Sequence, residues 1–188
     1  MLKASGIAAA AFAADAGNPD AIRATIQEAQ AALDPVAVIH RNAFGGSAER
    51  EAGDLMTADP AAVRGVFDIA IAGLLAAVQE ALPDLRSAGD GAALVTNGAF
   101  ADSTPQMDEY AVSLKSIGVA LANVAKHKFV GLLAQWLESG GVYVGEVMVA
   151  RTIQGTPRDT GSSIDPAMVA DKFWALYQAR GGVRARIA

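Results

Sequence analysis

An α/β domain, with a parallel sheet covered by helices on both faces, is what this sequence predicts. Short apolar runs rich in β-branched residues recur along it, each followed by a stretch of helical period long enough to cross to the next strand. Turn and cap residues sit at the joints. In addition, 52% of the 188 residues are apolar and only 19% charged, so much of the chain must be buried between layers or against a partner. One domain over residues 1–188 is expected, since about 150 residues is the usual unit. No repeat, low-complexity tract or charge block marks a linker.

Residues 7–14 form an apolar run ended by Asp15, Gly17, Asn18 and Pro19, which reads as a buried strand and a turn. Over 20–33, Ile22, Ile26, Ala29 and Leu33 recur at helical spacing, with Arg23, Gln27 and Glu28 opposite, and Pro35 stops the helix. Residues 36–40 are a second strand, and 42–51 a polar, glycine-containing loop. Asp59 and Pro60 begin a long helix, as its cap and its first helical residue. Its apolar face is Val63, Phe67, Ile71, Leu74, Leu75, Val78 and Leu82. Residues 69–78 are apolar nearly all round, which implies burial on more than one side. A third strand over 92–96 follows the turn at Gly89, Asp90 and Gly91. The next helical region, 110–137, is broken near Gly118 and ended by Gly140 and Gly141. A fourth strand over 142–149 and a helix over 165–178, capped by Asp165 with Pro166 in its first turn, complete the pattern.

The net charge of −5 and a pI near 4.9 argue against a nucleic-acid partner, because neutralising phosphates takes clustered Lys and Arg. The basic residues from Arg180 to Arg186 read as a solvated end. With no cysteine there is no disulfide framework, thiolate nucleophile or Cys-based zinc site. His40 and His127 lack ligand-like spacing, so no metal is expected. Residues 1–13 mimic an export signal, with Lys3 before an apolar run, but fall short of the usual ~15–30 residues. No apolar stretch reaches the ~18–20 residues of a membrane helix. A cytoplasmic protein without a membrane partner is expected.

The succession of segments resembles the short-chain dehydrogenase/reductase family. Asp15-Ala16-Gly17-Asn18 stands where that family keeps an aspartate at a strand end beside the adenine. Val36 to Phe44, through His40-Arg41-Asn42-Ala43, resembles the strand leading into Asn-Asn-Ala-Gly. Residues 67–85, with Gly73 and Leu82-Pro83, resemble the long interface helix, and Gly91-Ala92-Ala93-Leu94-Val95-Thr96 the strand before the catalytic serine. Gly141-Val142-Tyr143-Val144 and Ile164-Asp165-Pro166 match later steps. The resemblance implies a Rossmann-like sheet, NAD(P) as cofactor if any is bound, Asp15, Asn42 and Ala43 as candidate cofactor contacts, and pairing of copies through the two long helices.

The departures fall on chemistry. The family opens with a strand and a Gly-x-x-x-Gly-x-Gly turn, whose amides and helix N-terminus hold the pyrophosphate. This chain begins after that unit, so the sheet is expected to lack the first strand–helix units, leaving a gap between residues 7–14 and the strand at Val36. Either 7–14 moves to pair directly, another chain fills the space, or the sequence is a fragment. Gly45-Gly46-Ser47 reads as an ordinary loop. At the family's Asn and Ser positions stand Ala70 and, next to Asn97, Gly98. For Tyr-x-x-x-Lys, anchoring on Tyr110 puts Leu114 at the lysine position with Lys115 one residue late, whereas anchoring on Gly141 puts Val119 and Asn123 at the pair. Residues four apart on a helix lie ~40° from each other, but Tyr110 and Lys115, five apart, diverge by ~140°. Only an irregular turn would bring those two catalytic candidates together.

Among the other polar residues, His40 reads as a core or edge histidine with one hydrogen bond, and Lys126-His127-Lys128 as a solvated helix face. Asp102, Asp108 and Glu109 stand before a helix N-terminus, where carboxylates are favoured. The loop 151–163 reads as a solvated connection or, by resemblance, a mobile substrate lid. Three functions follow: a degenerate, noncatalytic family member acting as a structural or regulatory subunit; an NAD(P)-dependent oxidoreductase on an unknown carbonyl or alcohol, with an unusual or truncated site; or an interaction module using its apolar helices alone.

Overall fold

The computed structural model describes residues 5–44 and 52–188; the Gly45-Gly46-Ser47 loop lies outside them. Asn18 accepts the Asp20 and Ala21 amides and starts α1 (Pro19–Ala32). Strand β1 (Val38–Arg41) leads to α2 (Pro60–Phe67), capped by Asp59 as its spacing predicts. A π-helical turn, Asp68–Ala72, joins α2 to α3 (Gly73–Ser87). Strand β2 (Ala92–Gly98) is followed by α4 (Pro105–Ser113) and α5 (Ile117–Glu138). Strand β3 (Tyr143–Val149), α6 (Pro166–Ala179), again capped by its aspartate, and β4 (Arg184–Ile187) complete the chain.

The strands are all parallel, in the order β1-β2-β3-β4. Alternation along them divides the core. One face, with Ala93, Val95 and Val144, packs under α3 and α5 through Leu74, Val78, Leu85, Val130 and Leu133. Here α1 lies on α3, with Ile22 and Ile26 against Ala76, Ala77 and Ile39. The other face, with Ala92, Leu94 and Val147, meets α6 through Phe173. Helices therefore do lie on both faces, but unevenly. Layer contact is tight at Gly91, where a Cβ would come within 1.9 Å of the Leu85 carbonyl oxygen.

Several expectations are corrected. Residues 7–14 are not a strand: they run unpaired, with Ile7 52% exposed. Of the seven positions between Ile7 and Asp15, all but Phe12 are alanines, which contribute little area to bury. They do not close the gap beside β1, whose outer edge has no neighbour among the described residues. The basic C-terminus is not a solvated end but β4, since its period of two sends Ala185 and Ile187 into the core and Arg184 and Arg186 to the opposite face. The break in the helical region falls at Leu114–Ser116, with Gly118 inside α5. Asp102 pairs with Arg186 rather than serving a helix end. Lys126 is 5% exposed, so Lys126-His127-Lys128 is no solvated face. Two helices, Pro60–Ser87 taken as one continuous 28-residue run and Ile117–Glu138, are in fact long and apolar enough to cross a membrane; each turns part of its apolar surface to the sheet.

One carboxylate fastens the first crossover. Asp84 accepts the Val36 amide at 2.9 Å and Gln30 Nε2 at 2.7 Å, and these bonds, the Val36 amide foremost, hold its carboxyl below the usual value of 3.8. A depressed folded-state pKa contributes stability that is present above the unfolded value and lost as the pH falls through the folded one. Asp84→Asn is therefore expected to lower urea stability at about pH 6, and its deficit against the parent to shrink as the pH falls below the usual carboxylate value and through the lower folded-state one. A deficit independent of pH would show that the carboxylate's charge is not what matters.

Candidate functional site

In open parallel sheets ligands bind beyond the carboxyl ends of the strands. Three strands bring polar side chains to that end here. On β1, Arg41 turns toward α3, and its Nη2 donates to the Ala16 carbonyl at 2.8 Å and the Ile69 carbonyl at 3.1 Å. The second acceptor lies in the π turn, an irregularity often found at functional sites. Gly73 leaves room for this clamp: a Cβ there would sit 2.2 Å from the Ala16 oxygen and 2.7 Å from Arg41 Nη2. Burial lowers the Arg41 pKa, and its Nε is buried without a hydrogen-bond partner.

On β2, Asn97 is 3% exposed. Its Nδ2 donates to the Asn123 carbonyl at 3.0 Å and to Glu146 Oε1 at 2.6 Å, and its Oδ1 accepts the Gly98 amide at 3.0 Å. On β3, Glu146 is fully buried. Its Oε2 takes His127 Nδ1 at 2.7 Å and Arg184 Nε at 3.3 Å. Arg184 Nη2 also donates to the His127 carbonyl at 3.0 Å, closing a ring between α5, β3 and β4. A carboxylate removed from water needs such compensation. The signal for it was legible: Glu146 is the one charged residue in the otherwise apolar run 142–149.

The geometry at Gly98 fixes which helix faces it. A Cβ on Gly98 would come within 2.5 Å of Asn123 Nδ2, so α5 lies over the end of β2. Val119 and Asn123 stand one turn apart on α5, and Ala70 packs with Ala122 at its other side. The irregular turn between Tyr110 and Lys115 exists, but the two go separate ways. Tyr110, 52% exposed, packs its ring against Phe100 at 5.8 Å between centroids. Lys115 pairs with Asp54 at 2.9 Å. Of the residues read as cofactor contacts, Asp15 accepts the Gly17 amide at 2.8 Å, while Asn42 is exposed and Ala43 half-buried just past β1. The Arg41 bond to Ala16 brings the Asp15 turn and the Asn42–Ala43 end of β1 together.

His40 lies on the opposite face. Its Nε2 is 3.1 Å from Thr96 Oγ1, its ring centroid 4.4 Å from that of Phe173, and burial lowers its pKa. It floors an apolar concavity of ≈ 280 Å³ walled by Phe173, Trp174 and Tyr177.

No family model and no curated protein matches the sequence. Solved structures do match the fold. L-Sorbose reductase from Gluconobacter frateurii, complexed with NADPH and L-sorbose, superposes with a TM-score of 0.81 at 15% identity over 99% of this chain and 78% of its own. A short-chain dehydrogenase from Burkholderia cenocepacia in complex with NADP gives 0.80 at 19%, over 99% and 78%. An NADPH-bound short-chain oxidoreductase from Pseudomonas aeruginosa containing an atypical catalytic centre gives 0.77 at 13%, over 97% and 76%. This chain therefore has the short-chain dehydrogenase/reductase fold, a Rossmann-like parallel sheet with helices, and spans about three quarters of the length of these neighbours.

Proposed function

We propose that this chain is a noncatalytic domain of short-chain dehydrogenase/reductase fold, acting as a structural or regulatory subunit. One observation carries the reading. Where the resemblance expects Asn, Ser, Tyr and Lys, the chain has Ala70, Gly98, Val119 and Asn123, and of these only Asn123 has a polar side chain. Hydride transfer to a carbonyl needs a group that gives or takes a proton within hydrogen-bond reach of the reacting oxygen. Val119 has no such group, an amide at Asn123 does not titrate, and His127 and Arg184 are bonded to Glu146. Titration with NADPH and NADH, followed by nicotinamide fluorescence and thermal stability together, tests this. No saturable signal is expected; saturation below about 100 μM with a matching thermal shift would move the chain to the oxidoreductase reading.

That second reading, an NAD(P)-dependent oxidoreductase with an unusual centre, is supported by the fold it shares with the NADPH-bound P. aeruginosa enzyme, itself atypical. Under it Asp15, Asn42 and Ala43 are the cofactor contacts.

Self-association through α3 and α5 belongs to either reading. Leu121, Val124, Leu132 and Trp136 of α5 remain 41%, 39%, 52% and 79% exposed, and Leu75 of α3 36%. A strip of this kind marks an interaction surface. Sedimentation at micromolar concentration is expected to find a dimer, and Leu132→Glu with Trp136→Glu to weaken it by at least about tenfold. A monomeric parent would remove the interface.

A further inference from the structure

The joint between α4 and α5 has a lysine where glycine is favoured. The Ser116 amide donates to the Ala111 carbonyl at 2.8 Å and the Lys115 amide to that of Val112 at 3.0 Å, the paired bonds of a Schellman cap, with Lys115 left-handed at φ +47°. A Cβ there is strained. What lysine supplies and glycine does not is a side chain: Nζ lies 2.9 Å from Asp54 Oδ2, while Asp54 Oδ1 accepts the Met56 amide at 3.1 Å. Their hydrogen bond first, then their charges, raises the Lys115 pKa; the same contact, with the Met56 amide, lowers that of Asp54. Behind the pair, the Gly118 amide bonds the Ala52 carbonyl at 3.1 Å. Ala52, 1% exposed, packs in one cluster with Ala122, next to the Asn123 that covers Gly98.

We propose that Lys115 and Asp54 form a latch holding residues 52–58 and the α4–α5 joint closed over the carboxyl end of β2. Strain at Lys115 favours opening and the exposed ion pair favours closing. Both effects are small and of opposite sign, which leaves the joint poised and responsive to salt. Helix α4 is poorly tied down, burying only Ala111 while Tyr110 and Val112 stay exposed, as local opening requires.

The chain has no cysteine, so Ala122→Cys places a single thiol beneath Ala52. In that background Asp54→Asn and Lys115→Met are each expected to speed thiol labelling by about fivefold, and the double variant no further. Salt at about 1 M should bring the parent toward Asp54→Asn and leave that variant unchanged. Lys115→Gly removes strain and charge together and is expected to stay within about twofold of the parent. Equal labelling throughout, or Lys115→Gly as fast as Lys115→Met, overturns the latch. Amide exchange over 52–58 and 105–113 in the cysteine-free chain is expected to rank the variants in the same order, and unchanged exchange there overturns it as well.

Discussion

Glu146→Ala is expected to cost about 3 kcal/mol of folding stability, within the range for breaking a buried charge pair and opening a cavity. The partners fare differently when the carboxylate goes. Arg184 and His127, with side chains 43% and 28% exposed, reach water. Asn97, at 3% exposure, keeps its bond to the Asn123 carbonyl but strands the other half of its amide, which is where most of the cost arises. For a chain of this length the change amounts to a fall of roughly 6–12 °C in Tm. Glu146→Leu fills the cavity but leaves the same amide stranded, so it should recover only part of the loss. A leucine variant as stable as the parent would show that the ring around Glu146 does not hold the ends of β2 and β3.

Gly91→Ala is expected to destabilise by about 3 kcal/mol, at the upper end for overpacking. A Cβ there would lie 1.9, 2.6 and 2.8 Å from the Leu85 oxygen, carbonyl carbon and Cα. All three are main-chain atoms of α3, so no side chain can swing aside. Relief means moving α3 off β2, and Leu85 is itself 1% exposed within the core. The Gly91 carbonyl also accepts the Tyr143 amide at 2.9 Å and Arg180 Nη2 at 3.1 Å, so a shift at this residue spreads to β3 and α6. Urea unfolding measures the effect; a loss under about 1 kcal/mol would mean that the helix and strand slide apart more freely than close packing allows.

Much of this fold was legible because its elements announce themselves locally. Asn18, Asp59 and Asp165 cap helices that each open with proline, and β2 and β3 are apolar on both sides, as central parallel strands are. What escaped was set by neighbours in space. Residues 7–14 have a strand's hydrophobicity but no strand beside them to pair with. Arg184-Ala185-Arg186-Ile187 has the period of a strand, yet its charges mimic a solvated tail until Glu146 and Asp102 are placed opposite them. Less of the candidate site was legible. The succession of motifs offers Tyr110 with Leu114 and Val119 with Asn123 alike at the tyrosine–lysine positions, and it does not reveal that Asn123 packs on Gly98. The ring of Asn97, His127, Glu146 and Arg184 joins residues up to 87 positions apart in sequence, from 97 to 184, and only one member, a lone glutamate in an apolar strand, signalled it.

The most direct test of the noncatalytic reading is NADPH and NADH oxidation by the purified chain, at high protein concentration, across a panel of ketoses, aldehydes and simple ketones. The account predicts rates equal to those without protein for every substrate. Sustained turnover above about 0.1 s⁻¹, a tenth of the slow end of ordinary enzymes, abolished by mild heat and retained through repurification, would contradict it and assign the chain a working proton donor that Val119 and Asn123 do not provide.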